Sequence, residues 1–89
     1  MQESPIEQFA DDLAKELGYI VRKVQWIGRR SAPDKLYSSM KTGPFFVEFK
    51  KTGAKPNPTQ EREIQRMRDC GITVYTIDSI RGVRELFAQ

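Results

Sequence analysis

Two seven-residue segments, residues 34–40 (DKLYSSM) and 44–50 (PFFVEFK), flank Lys41-Thr42-Gly43, and this arrangement constrains the fold more than any other stretch of the chain. A three-residue connection with Gly where a left-handed backbone is needed signals a β-hairpin. With three residues in the loop, Met40 faces Pro44, Leu36 faces Glu48 and Asp34 faces Lys50. Strand side chains alternate with a period of two, so all the even-numbered positions share a face. Asp34, Glu48 and Lys50 converge there, with direct cross-strand neighbours about 5 Å apart and diagonal ones about 7–8 Å apart. A loop one residue shorter would put Asp34 on the opposite face from Glu48, so the convergence depends on register.

The rest of the chain supplies layers for that hairpin. Residues 4–17 read as an amphipathic helix: Ser4 is a good N-cap, Pro5 suits the first helical position, and Ile6, Phe9, Leu13 and Leu17 share one face. Residues 19–26 (YIVRKVQW) alternate like a strand, followed by a loop at Gly28-Arg29-Arg30-Ser31. Residues 58–70 form a helix stopped by Gly71, with Ile64 and Met67 on a narrow apolar face. ITVYTI at 72–77 is a compact buried strand. Asp78 or Ser79 caps a last helix whose inner stripe is Ile80, Val83, Leu86 and Phe87. The order αβββαβα predicts an α/β fold with a mixed sheet flanked by helices, and 89 residues make one domain, 1–89.

Composition narrows the function. The absence of His excludes HNH-type, zinc-hydrolase and histidine-base mechanisms, so catalysis must rest on carboxylates, Lys or Tyr. No apolar stretch is long enough for a membrane span. A lone cysteine, Cys70, and the lack of a signal-peptide pattern favour a reducing, cytoplasmic home. Charge is unevenly placed: between Arg22 and Lys55 stand nine basic residues against two acidic ones, a local +7. Such a segment suits a polyanion, although charged surfaces are often merely solvated.

Two carboxylates and several waters are what Mg²⁺ accepts, because it wants hard oxygen ligands in an octahedron. Beside such an ion, a Lys ammonium can orient a nucleophile and stabilise developing negative charge on a phosphate. Lys50 is placed for that role, and the Phe49 carbonyl between Glu48 and Lys50 could add an oxygen ligand. On spacing alone, an ordinary charge ladder on a solvent-facing hairpin fits these residues better. The surrounding sequence favours a site: Pro33-Asp34 opens one strand, and Glu48-Phe49-Lys50 closes the next behind apolar Phe45, Phe46 and Val47.

Pro33-Asp34, thirteen residues, then Glu48-Phe49-Lys50 resembles the PD-(D/E)XK nuclease signature. Ile6-Glu7, Gly28-Arg29-Arg30, Phe46-Val47-Glu48-Phe49-Lys50, Gln60 and Gly71-Ile72-Thr73-Val74-Tyr75 together resemble the VRR-NUC (virus-type replication-repair nuclease) family, in its stand-alone, phage-type form. The resemblance covers nearly the whole chain. It implies a restriction-endonuclease-like αβββαβ core plus a C-terminal helix, and a nuclease dependent on Mg²⁺ or Mn²⁺. It further implies metal binding by Asp34, Glu48, the Phe49 carbonyl and a helix-one carboxylate corresponding to Glu7, with catalysis by Lys50 and an active-site position for Gln60, orienting water or phosphate. Ser31-Ala32 stands where a Gly often follows the double Arg, and Phe49 replaces a commoner Leu.

Two of these residues have a second reading. Ser4-Pro5-Ile6-Glu7 is also a capping box, in which the Glu side chain returns to the Ser4 N–H, and Asn57-Pro58-Thr59-Gln60 can be another. Glu3, one turn earlier, is an alternative carboxylate. Arg29, Arg30, Lys51 and Lys55 are candidate phosphate contacts. Trp26 and Tyr37 fit core packing or strand-edge cover better than base stacking. Small size, basic charge and the resemblance lead to an expectation of DNA as partner, branched DNA of the four-way-junction kind as substrate, and a homodimer placing two sites on two strands. No membrane or small-molecule cofactor is expected. The alternative is a catalytically silent nucleic-acid-binding module with the nuclease fold.

Overall fold

The structure, a computed structural model, describes residues 4–54 and 57–88. The elements are α1 (Pro5–Glu16), β1 (Ile20–Lys23), β2 (Lys35–Ser39), β3 (Gly43–Phe49), α2 (Pro58–Asp69), β4 (Val74–Ile77) and α3 (Ile80–Phe87). The strands lie in the order β1-β2-β3-β4; the first two pairings are antiparallel and the third is parallel. This is the mixed sheet and element order expected from the sequence.

Side-chain alternation along β2 and β3 divides the core. Tyr37, Phe45 and Val47 project to one face and pack with Ala10 and Ala14 of α1 and with Val83 and Phe87 of α3. Phe46 projects to the other, where Trp26, Ile64, Met67 and Val74 enclose it beneath α2. Burying each large apolar side chain contributes about 1.5–3 kcal/mol. The sheet is thus held between α1 and α3 on one side and α2 on the other.

Three local expectations are corrected. The hairpin pairs Ser39 with Gly43, Leu36 with Phe46 and Lys35 with Val47, two residues away from the Met40–Pro44 register. The turn closes one position earlier on each strand because the Ser39 hydroxyl accepts from the Thr42 N–H at 3.1 Å and bonds the Thr42 hydroxyl at 2.9 Å. Gly43, at φ 70°, supplies the left-handed backbone from within β3. An offset of two preserves alternation, so the even-numbered residues still share a face.

Residues 19–26 form a shorter strand than expected. Val24 N–H still donates to Asp34 O at 3.1 Å, but the chain then leaves the sheet. Trp26 packs edge-on against Phe46 and donates its indole N–H to Glu63 at 2.9 Å, the partner that a buried indole requires. On α1, Ala10, Asp11 and Ala14 form the buried seam, while Leu17 is 51% exposed. The small alanines bring the helix close to the sheet, leaving Ile6, Phe9 and Leu13 as flanks. Leu17 is the C-cap residue, where the chain turns away.

Candidate active site

The site forms where β2 begins and β3 ends. Pro33 is fully buried and delivers Asp34 to the head of β2. Asp34 is bound twice to the neighbouring strand: its N–H donates to Val47 O at 3.1 Å, and its Oδ2 accepts the Phe49 N–H at 2.7 Å. Strand β3 lies inside the sheet, paired on both sides, and this draws Glu48 to 5% exposure despite its charge. Lys50 continues the strand by donating its N–H to Ile77 O at 2.8 Å. Its Nζ lies 3.8 Å from Glu48 Oε2 and donates to Gln60 Oε1 on the first turn of α2.

Asp34, Glu48, Lys50 and Gln60 therefore meet on the α2 side of the sheet. The electrostatics there are unbalanced. Burial, and then the adjacent Asp34 charge, push the Glu48 carboxyl up from its ordinary 4.5 to about 7, against the smaller downward pull of Lys50 and Gln60. Glu48 Oε1 is buried and, among the described residues, accepts no hydrogen bond. A buried oxygen without a partner costs about 1–3 kcal/mol. A hard divalent cation resolves both features, since it neutralises facing carboxylates and takes carboxylate and carbonyl oxygens as ligands. Asp34, Glu48 and the Phe49 carbonyl could supply oxygen donors to such an ion.

A solved structure described as "VRR_NUC domain" is similar to this chain at 34% sequence identity, with a TM-score of 0.86, covering 94% of this chain and 91% of the other. The chain belongs to the VRR-NUC family. No family model matches it, and no curated protein does. The VRR-NUC domain is a nuclease-fold protein, and none of its described helices is long and apolar enough to cross a membrane.

The remaining candidate residues of this VRR-NUC domain divide by their place in the fold. Glu7 sits on α1, its N–H donating to Ser4 Oγ at 3.1 Å and its carboxylate 3.6 Å from Lys35 Nζ. Lys35 points to the face covered by α1, and Glu7 is brought to it there. Among the described residues, no group of three Asp, Glu, Cys or His side chains is gathered where it could hold a metal ion. Gln60 is capped at its backbone by Asn57 Oδ1 at 3.4 Å, while its side chain reaches Lys50. Arg29, Arg30 and Lys51 are exposed. Glu3 and Lys55 lie outside the described residues. Trp26 and Tyr37 are packed in the two cores.

Two buried polar clusters of the VRR-NUC domain escape a reading of the sequence. Lys35 and Asp11, each about 5% exposed, pair at 2.9 Å, and Tyr37 Oη donates to Asp11 Oδ1 at 2.7 Å. Glu63, 7% exposed, accepts from Trp26, Arg29 and Arg66. Helical spacing carries the signal for both: Asp11 lies between Ala10 and Ala14, and Glu63 falls three residues after Gln60 and four before Met67.

Proposed function

We propose that this VRR-NUC domain is a divalent-metal-dependent DNA endonuclease of the PD-(D/E)XK type, hydrolysing phosphodiester bonds with Mg²⁺ or Mn²⁺. The observation that carries the reading is Glu48: a buried carboxylate beside Asp34, with one oxygen lacking a partner among the described residues and a lysine 3.8 Å from the other. Such a pair is poorly stabilised by the protein alone and is complete with a cation.

Asp34, Glu48 and the Phe49 carbonyl hold the ion in this reading. A divalent cation held there would supply Lewis acidity to the phosphodiester and lower the pKa of a water, so that hydroxide would be available near neutral pH. The Phe49 N–H aims the Asp34 carboxylate, so that ligand is ordered before anything binds. Lys50, held by Gln60, orients the attacking water and stabilises charge developing on the phosphate oxygens. Glu7 acts at one remove, through Lys35, the residue following Asp34. Arg29, Arg30, Lys51 and Lys55 contact backbone phosphates.

The substrate in this proposal is branched DNA of the four-way-junction kind, cut by a homodimer in the cytoplasm, where the exposed thiol of Cys70 stays reduced. Leu17, Ile20 and Met40 are half or more exposed. They lie around one pair of adjoining surface hollows near the β2–β3 turn, a candidate apolar contact between protomers.

The test is cleavage of labelled junction, flap and linear duplex DNA with Mg²⁺, Mn²⁺ or EDTA. Metal-dependent cutting with the junction preferred is expected. Equal cutting of junction and duplex removes the substrate assignment, and tight binding without cutting in either metal replaces the nuclease with a silent binding module.

A further inference from the structure

The Glu63 carboxylate accepts four hydrogen bonds from three residues. Its Oε2 accepts the Trp26 indole N–H at 2.9 Å; its Oε1 accepts Arg29 Nη2 at 3.2 Å and Arg66 Nε and Nη2 at 3.2 and 2.9 Å. The bonds to the two guanidinium groups hold the Glu63 carboxyl below its ordinary range, those from Arg66 most of all. Glu63 itself is buried, but the Arg29 and Arg66 side chains remain 57% and 55% exposed. One carboxylate charge thus fixes two guanidinium groups in place and leaves a net positive charge on the surface. Arg29 commits a single nitrogen to the contact, and Arg66 commits only its Nε–Nη2 edge.

The position of this pair relative to the site follows from two chain connections. Helix α2 carries Gln60, Glu63 and Arg66 at intervals of three residues, placing Arg66 about 9 Å along the helix from the residue that holds Lys50. Arg29 lies in the segment that runs from β1 into Asp34. Both arginines are therefore rigidly tied to elements that enter the catalytic cluster.

We infer that Arg29 and Arg66, locked together by the buried carboxylate of Glu63, form a preorganised phosphate clamp that grips the DNA backbone beside the site of cleavage. Guanidinium edges suit phosphate oxygens because their N–H donors are planar and fixed in direction. A long side chain ordered beforehand loses less entropy on binding, about 0.5–1.5 kcal/mol for each rotamer-rich side chain otherwise immobilised. Glu63 is the positioning residue of the clamp and Arg66 is its second binding group. The inference rests on the reading of DNA as the ligand, and it extends the binding surface from the loop onto α2.

The test is anisotropy titration of a labelled DNA duplex in EDTA over a range of NaCl concentrations, with Arg66→Ala, Glu63→Gln and Arg81→Ala beside the wild type. Arg81, on α3 across the sheet and 88% exposed, provides the same charge loss away from the clamp. Arg66→Ala is expected to weaken binding about tenfold and to reduce the salt slope by about one, with Arg81→Ala close to wild type. Glu63→Gln is the sharper variant because it adds a positive unit of net charge. An amide has one acceptor oxygen where the carboxylate uses two, so it cannot serve both the indole and the guanidinium groups. The clamp predicts weaker binding by Glu63→Gln; simple charge attraction predicts tighter binding.

The inference is overturned if Arg66→Ala matches Arg81→Ala, if Glu63→Gln binds as tightly as the wild type or tighter, or if the wild type binds no DNA. Should Arg66→Ala fail to fold, Arg66→Lys keeps the charge and loses the planar fork, and is expected to weaken binding where Arg81→Lys does not. Cleavage assayed in parallel separates the two readings. Normal metal-dependent cutting without a clamp effect removes the clamp alone, and a clamp effect without cutting removes the nuclease alone.

Discussion

The Phe49 N–H donates to Asp34 Oδ2 at 2.7 Å, binding the first carboxylate of the site to the backbone between Glu48 and Lys50. One hydrogen bond thereby joins the head of β2 to the end of β3 and sets the spacing of the acidic pair. Asp34→Asn retains an oxygen to accept that bond but loses the charge. It is expected to fold with a melting temperature near that of the wild type and to lose about 100-fold or more in cleavage rate, equivalent to about 3 kcal/mol of transition-state stabilisation. Melting curves and single-turnover cleavage check this together. A variant that cuts normally would remove Asp34 from the site.

The raised pKa of Glu48 makes stability depend on pH in a defined direction. Between about 4.5 and 7 the unfolded chain has released a proton that the folded protein keeps on Glu48. Stability in EDTA is therefore expected to fall as pH rises through that window. Glu48→Gln should remove this contribution and, at pH 7.5 without metal, be more stable than wild type. Urea unfolding at several pH values gives the comparison. Added Mg²⁺ should stabilise the wild type and not Glu48→Gln, with an effect that grows towards pH 8.

Gln60 is expected to act through Lys50. Gln60→Ala frees the ammonium that Gln60 holds, and should slow cleavage about tenfold in the wild-type background. In the Lys50→Ala background the same change should add nothing, because residues acting as a unit are not additive. A double-mutant cycle on the cleavage rate measures the coupling, and independent effects would contradict it.

Helix α1 offers a contrast between two kinds of carboxylate. Lys35→Met leaves Asp11 buried without its cation and is expected to cost about 3–5 kcal/mol. Tyr37→Phe removes the hydroxyl's bond to Asp11 and should cost about 1–2 kcal/mol. Glu7→Gln should lower stability slightly and leave Mg²⁺ affinity unchanged, as measured by calorimetry. A loss of about tenfold or more would place Glu7 among the metal's direct ligands or their immediate supports.

The residues that alternate were legible in the sequence, and the residues that depend on a turn or a partner were not. Alternation put Asp34, Glu48 and Lys50 on one face, and an even error in register left that conclusion intact. The register itself turned on the Ser39–Thr42 hydroxyl contacts, which sequence pattern does not reveal. Trp26 read as the end of a strand because its indole's partner, Glu63, lies 37 residues away. Glu63 sits in a run of charges, EREIQRMRD, that resembles a solvated helix face. Its burial follows from the cations around it and not from its own hydropathy. Lys35 was hidden for the same reason, being a charged residue on an inward face whose partner Asp11 belongs to another element.

The central claim is tested most directly by single-turnover cleavage of a labelled four-way junction by wild type and Lys50→Ala, with Mg²⁺ or EDTA and with DNA binding measured alongside. Lys50 touches both Glu48 and Gln60, so its loss removes the chemistry at the centre of the cluster. The account predicts Mg²⁺-dependent cutting by the wild type and a drop of about 10²–10⁴-fold in Lys50→Ala with binding retained. Cutting that persists in Lys50→Ala, or a wild type that binds the junction and never cuts it in Mg²⁺ or Mn²⁺, would contradict it.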